Sequence, residues 1–120
     1  DMPYLPIDQA VADLENRKRD RLPYVSDLPT QSMVTLGATA TDASNINATL
    51  VLLTTVASGT GAKLPLAYAG SFVCIRNNGA NTATIYCQAN ETIDGSSSTT
   101  ITASGSKLFF APAAQQWFTI

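Results

Sequence analysis

Short stretches of alternating apolar and polar residues recur through most of the chain, from about residue 33 to the end. A period of two places successive side chains on opposite faces of a β-strand. Clusters of Gly, Asn, Asp and Ser separate the stretches at residues 58–61, 77–79, 94–95 and 104–105. The pattern predicts strands over residues 33–36, 48–56, 71–77, 82–88, 99–103, 107–111 and 116–119.

The dipeptide Asn78-Gly79 stands between two of these alternating stretches. Asn-Gly in such a place favours a tight turn, and therefore predicts that strands 71–77 and 82–88 pair as a hairpin. Short strands at roughly ten-residue spacing are typical of sandwiches and jelly rolls. We therefore expect residues 32–120 to form an all-β body, a jelly-roll-like β-sandwich.

Residues 1–31 follow a different pattern, with an apolar stripe at helical spacing and Pro23 beyond its end. The spacing i, i+3, i+4, i+7 predicts a short helix over residues 8–21 within an otherwise extended N-terminal arm. Such a helix is marginal alone, so we expect the arm to become ordered on binding a partner. The stripe consists of Ile7, Ala10, Val11 and Leu14.

Charge separates the same two segments. Residues 1–31 carry most of the charged residues and contain no glycine, whereas the charges of residues 32–120 cancel. The formal net charge of the chain is −2, and no clustered positive face is visible in the body, so nucleic acid is not an expected partner. No apolar run approaches the roughly 20 residues of a membrane span, so a membrane is not expected either.

The residue types needed for catalysis are scarce. The chain has no histidine, which removes the commonest general base and the usual nucleophile pairs. Glu91 and Asp94 form one close carboxylate pair, for which a turn cap is the favoured interpretation and a calcium or glycosidase site the alternative. We predict that the protein is not an enzyme and has no cofactor or metal. Cys74 and Cys87 would lie out of register on the predicted hairpin, which favours free thiols.

Large aromatic residues concentrate in the last two predicted strands. Because they occupy both faces of these strands, we expect them to contribute to the core and to an interface between subunits. A sugar-binding platform is the alternative. The residues are Phe109, Phe110, Trp117 and Phe118.

Several motifs follow one another in a recognisable order. A Thr-rich strand leads to Gly59-Thr60-Gly61 and Leu64-Pro65, then come the sequence FVCIRNNGAN at 72–81, Ile93-Asp94-Gly95 and Trp117. From about residue 35 onward the chain resembles small β-rich virion proteins of tailed bacteriophages, of the capsid cement (decoration) type. Related modules occur in tail fibres and spikes.

The resemblance implies a non-catalytic role on the exterior of a capsid, in a protein made in the host cytoplasm. Its expected partners are the major capsid protein and further copies of itself, as a homotrimer or homodimer. On this view Ile7, Val11 and Leu14 bury against the shell, while Arg17, Arg19 and Arg21 pair with its acidic groups. The alternative is a fibre or spike module that binds host carbohydrate. Because fibre modules usually belong to much longer chains, we favour the cement protein.

Overall fold

The computed structural model of the protein describes residues 28–120, which fold entirely into β-strands and connecting turns without a helix. The all-β prediction is confirmed. The predicted arm helix over 8–21 lies outside the described residues. The strands are β1 (Thr30–Thr35), β2 (Ser44–Asn45), β3 (Leu50–Val56), β4 (Gly61–Lys63), β5 (Ser71–Asn77), β6 (Ala83–Tyr86), β7 (Thr92–Ile93), β8 (Ser98–Ile101), β9 (Ser106–Ala113) and β10 (Gln116–Thr119).

The strands form a six-stranded sheet in the order β1-β3-β5-β9-β10-β7 and a four-stranded sheet in the order β2-β4-β6-β8. From β1 to β6 the chain alternates between the two sheets, and each strand pairs in parallel with its equivalent one turn later. Successive coils therefore stack on one another, as in a solenoid. The later strands β8 and β9 run antiparallel to β6 and β5 and end the stack.

This arrangement is a short β-solenoid, so the jelly-roll prediction was wrong in its topology. The predicted hairpin is also absent, because β5 and β6 lie in different sheets. The Asn-Gly turn is a corner that carries the chain from one sheet to the other. The buried side chain of Asn77 holds that corner: its Nδ2 donates to the carbonyls of Asn81 (2.8 Å) and Ile101 (2.9 Å), and its Oδ1 accepts from Gly79 N (2.9 Å).

Gly79 has a steric role in the same corner. A Cβ at this position would lie 2.7 Å from the backbone nitrogen of Val56, on the preceding coil. The sequence therefore indicated the turn at residues 77–79 correctly. In the structure, the glycine of this turn allows close contact between stacked coils.

Between the two sheets lies one apolar core. The six-stranded sheet contributes Leu53, Ile75, Phe109 and Trp117, which are all fully buried, and Ile85 lies opposite in the four-stranded sheet. The predicted strands 71–77 and 116–119 match the observed bounds, whereas β1 begins within the predicted arm, at Thr30. The strands β2, β4 and β7 were not predicted, because two or three residues are too few to show alternation.

Candidate assembly surface

The outer face of the six-stranded sheet is covered by apolar side chains. On each strand these positions alternate with the buried ones that fill the core, so they point away from it. All of them are half-buried or exposed. We call this set the apolar face: Leu50, Leu52, Phe72, Cys74, Leu108, Phe110 and Phe118.

Strand register aligns these side chains in rows that cross the sheet. In one row Leu50 pairs with Cys74, and Cys74 with Leu108. In the next row Phe72 pairs with Phe110, which pairs in turn with Phe118. The apolar face is therefore continuous across neighbouring strands and is not a scatter of single exposed residues.

Two rings of the aromatic row are in contact with each other. The rings of Phe110 and Phe118 have centroids 6.1 Å apart and are tilted by 34°. This distance lies in the range where aromatic pairs attract each other beyond their burial. Phe72, the third member of the row, remains 42% exposed.

Charge is nearly absent from this face. Arg76 is the one charged side chain at the outward positions of the strands that carry the face, and it lies in the row of Leu52 and Ser106. Its guanidinium donates to the carbonyl of Ser104, at the margin of the sheet. Lys107 points to the other side of its strand, where it donates to Thr99 Oγ1 (3.0 Å) and the Thr100 carbonyl (2.9 Å).

An open groove of about 590 Å³ adjoins the apolar face at Phe72. Pro29, Leu66 and Tyr68 form part of its wall, and the side chain of Tyr68 is 64% exposed. Trp117 also lines the groove, and its indole N–H has no hydrogen-bond partner among the described residues. The groove thus presents exposed aromatic and apolar surface, whereas the unpaired indole N–H of Trp117 is itself buried.

The carboxylate pair serves structural roles. Glu91 is buried, and its carboxylate accepts from the backbone N–H of Ala67 at 3.1 Å. Asp94 adopts a left-handed backbone conformation with φ of 51° and accepts from Thr119 N at 3.1 Å. Asp94 therefore lies in a turn, but its carboxylate bonds to the last strand and not to the backbone of that turn. Within residues 28–120, no group of three or more His, Cys, Asp or Glu side chains is placed to hold a metal ion.

Both cysteines are free thiols. Cys74 lies on the apolar face, whereas Cys87 is buried just after β6, where its thiol donates to the Glu91 carbonyl at 3.1 Å. Burial raises the pKa of the Cys87 thiol. The register argument for free thiols assumed a hairpin that does not exist, since β5 and β6 belong to different sheets.

The structure divides the predicted interface residues between two environments. Phe109 and Trp117 are fully buried in the core, so in this structure they are not available to a partner. Phe110 and Phe118 lie on the opposite side of the sheet, on the apolar face. The predicted shell-binding residues lie outside the described residues: Ile7, Val11, Leu14, Arg17, Arg19 and Arg21.

Sequence reasoning missed Leu50, Leu52 and Phe72 as surface residues. The signal was present in Leu50-Val51-Leu52-Leu53, where apolar residues occupy both alternating sets of positions. A strand of this kind is apolar on both sides. One side of β3 fills the core and the other lies on the apolar face.

Comparison with known proteins identifies no relative. No protein family matches the chain, and no curated protein or solved structure matches it either. Within residues 28–120, no helix is long and apolar enough to cross a membrane.

Proposed function

We propose that this protein is a non-catalytic assembly protein whose function is to bind other protein chains, and that its setting is the outer surface of a phage capsid. In this role it is a cement protein that binds the major capsid protein and stabilises the shell. The apolar face is the observation that carries the proposal. A continuous apolar surface of this kind on a folded domain is typical of a protein-binding site.

The capsid setting rests on the sequence motifs, from the Thr-rich strand through Asn78-Gly79 to Trp117, which resemble those of cement proteins. In the solenoid, parallel pairing joins strands that are far apart in the sequence into one folded body. Such a body suits a protein whose role is to stabilise a shell of other chains. The contact with the shell is assigned to the predicted arm, with Val11 at the centre of its apolar stripe. The apolar face remains for contacts made by the body.

A capsid-binding assay tests this proposal. Undecorated capsids of the phage that encodes the chain are mixed with the full-length protein, pelleted and analysed for bound protein. We expect the parent protein to decorate the capsids and Val11→Asp to lose binding, because a carboxylate cannot be buried against an apolar surface without a partner. The control is Thr100→Lys, which adds a charge to the four-stranded sheet and should leave decoration unchanged.

Failure of the parent protein to bind the capsids would refute the cement role. Decoration by Val11→Asp at the parent level would show that the arm is not the clamp. A thermal melt of each variant separates loss of binding from loss of folding.

The groove beside Phe72 favours one alternative, a module that binds carbohydrate. Sugars stack on exposed aromatic rings, and Tyr68 offers such a ring in a groove that Asn47 also lines. A glycan array with host surface polysaccharide tests this function. Saturable binding that is lost in Tyr68→Ala but kept in Tyr86→Ala, a tyrosine of the four-stranded sheet, would favour it over the cement protein.

A further inference from the structure

We infer that the apolar face binds a second copy of this chain, with the two six-stranded sheets packed face to face about a two-fold axis. This inference rests on the proposed function in one respect only, namely that the protein works by contact with other chains. It names the occupant of the face and the residue at the centre of the contact.

The size of the apolar face, taken together with the polar border that β1 adds to it, agrees with a small dimer interface. At a spacing of about 4.8 Å, the strands β1, β3, β5, β9 and β10 span about 24 Å, and six residues of a strand cover about 20 Å. Each copy therefore presents about 500 Å², and a pair would bury about 1,000 Å², near the lower limit for a specific interface. We expect a dissociation constant in the micromolar range for this reason.

The composition of the face suits self-pairing. A two-fold interface brings the same surface of both copies together, so any charge near the axis would meet its own like charge. The central row, that of Cys74, and the row of Phe72 carry no charge; Arg76 lies in the third row, beside the central one, and its guanidinium bonds within its own chain at the margin of the sheet. Polar residues border the face at Thr30, Ser32 and Ser106, in the usual arrangement of apolar centre and polar rim.

Cys74 marks the centre of this surface. It lies midway along β5, and β5 is the middle strand of the set β1-β3-β5-β9-β10. A two-fold axis that lies in the plane between the sheets and crosses the middle of the face places the two copies of Cys74 opposite each other. Packed sheets are about 10 Å apart, so both thiols become inaccessible without forming a disulfide.

Sedimentation velocity of the full-length protein over a concentration series from about 5 to about 500 μM tests the pairing, because this range brackets a micromolar dissociation constant. We expect a reversible monomer–dimer equilibrium. Phe72→Lys should weaken the dimer by more than about tenfold, since the ammonium would be buried without a partner. The neutral variant Phe72→Thr should weaken it less. The control Thr100→Lys adds the same charge to the other sheet and should leave the equilibrium unchanged.

The reactivity of Cys74 provides a second measurement. A small neutral alkylating reagent, with the modified residue identified by mass spectrometry, should label Cys74 more slowly as the protein concentration rises. Phe72→Lys should label at one rate at all concentrations. Circular dichroism of each variant confirms that the strands are retained.

Other occupants of the face give different results. If the chain's own arm covers the face, Cys74 is protected to the same extent at every concentration, and the inference is overturned. A trimer, or a monomer throughout the series with Cys74 unprotected, overturns it as well. The dimer and the cement role also fail separately: a protein that dimerises without decorating capsids refutes only the cement role. A strictly monomeric protein that decorates refutes only the dimer.

Discussion

The two sheets of this protein share a core, but their outer surfaces differ in polarity. On the four-stranded sheet the outward side chains are polar, with Thr84 paired to Thr100 and Tyr86 to Ser98, and Tyr86 donates from its hydroxyl to the Ala38 carbonyl at 3.0 Å. On the six-stranded sheet the apolar face carries Leu, Phe and Cys at the equivalent positions. Both sheets obey the same alternation, so the inner positions specify the fold and the outer positions specify what each sheet contacts.

The comparison also separates the residues that determine folding stability from those that determine association with other chains. Water can solvate the Thr and Ser side chains of the four-stranded face, whereas the apolar face gains free energy only when another surface covers it. The core residues between the sheets should therefore control folding of both faces at once. Changes at outer positions should affect one face and leave the other intact.

The largest expected effect concerns the link between the sheets. Asn77→Leu removes three hydrogen bonds at a fully buried position and leaves the Ile101 carbonyl without its partner on β5. We expect the free energy of unfolding to fall by about 3–5 kcal/mol. Urea denaturation measures the change, and the exposed Asn45→Leu, which should stay within about 0.5 kcal/mol of the parent, is the control.

Two probes decide whether the sheets unfold together in this experiment. Fluorescence of Trp117 reports on the six-stranded sheet, and alkylation of the buried Cys87 reports on the neighbourhood of the four-stranded sheet. Coincident transitions are expected for one shared core. Separate transitions would mean that the two faces belong to independent units.

A smaller effect is expected from the aromatic row. Phe118→Thr removes the contact with the Phe110 ring and should lower the free energy of unfolding by about 1–2 kcal/mol. The matched change on the polar face, Thr84→Val, should alter stability by less than about 0.5 kcal/mol. Both are measured by urea denaturation at low protein concentration, where association does not contribute. Equal losses in the two variants would remove the distinction between the faces.

The buried thiol of Cys87 extends the comparison to alkaline pH. Because burial raises the pKa of Cys87, the folded state holds its proton more tightly than the unfolded state does. This contribution to stability is fully present below the unfolded pKa, near 8.5, and is lost as the pH rises through the folded value. As the pH rises above the unfolded pKa, stability of the parent should fall more steeply than that of Cys87→Ser. Thr84→Val, which removes no titratable group, is the control, and we expect it to keep the parent slope.

The smallest effect lies in the loop between β1 and β2. The hydroxyl and backbone N–H of Thr39 both donate to Asp42, at 2.7 and 2.9 Å, and they lower the pKa of its carboxyl. The stabilisation is present above the unfolded pKa, near 3.9, and is lost as the pH falls through the folded value. Thr39→Ala should reduce stability slightly at neutral pH, and the difference from the parent should narrow in acid. A difference that grows in acid would contradict this assignment.

The sequence by itself determined the longer strands of the body and the side of the strand on which their residues lie. Alternation located β5 and β10 at their observed bounds, and it placed Trp117 and Phe118 on opposite sides of one strand. The turn at residues 77–79 was also visible, because Asn and Gly favour the backbone conformations of turns wherever they occur. These features depend on neighbouring residues, so local patterns predict them.

Only the tertiary structure decided which strands pair. The Asn-Gly turn suggested a hairpin between β5 and β6, but each strand instead pairs in parallel with the coil before it, as Leu50 does with Cys74. Such pairs are far apart along the chain and are selected by burial of the whole core, which no short segment encodes. The apolar face arises in the same way, because Leu50, Phe72 and Phe118 come from separate strands and become one surface only when the sheet assembles.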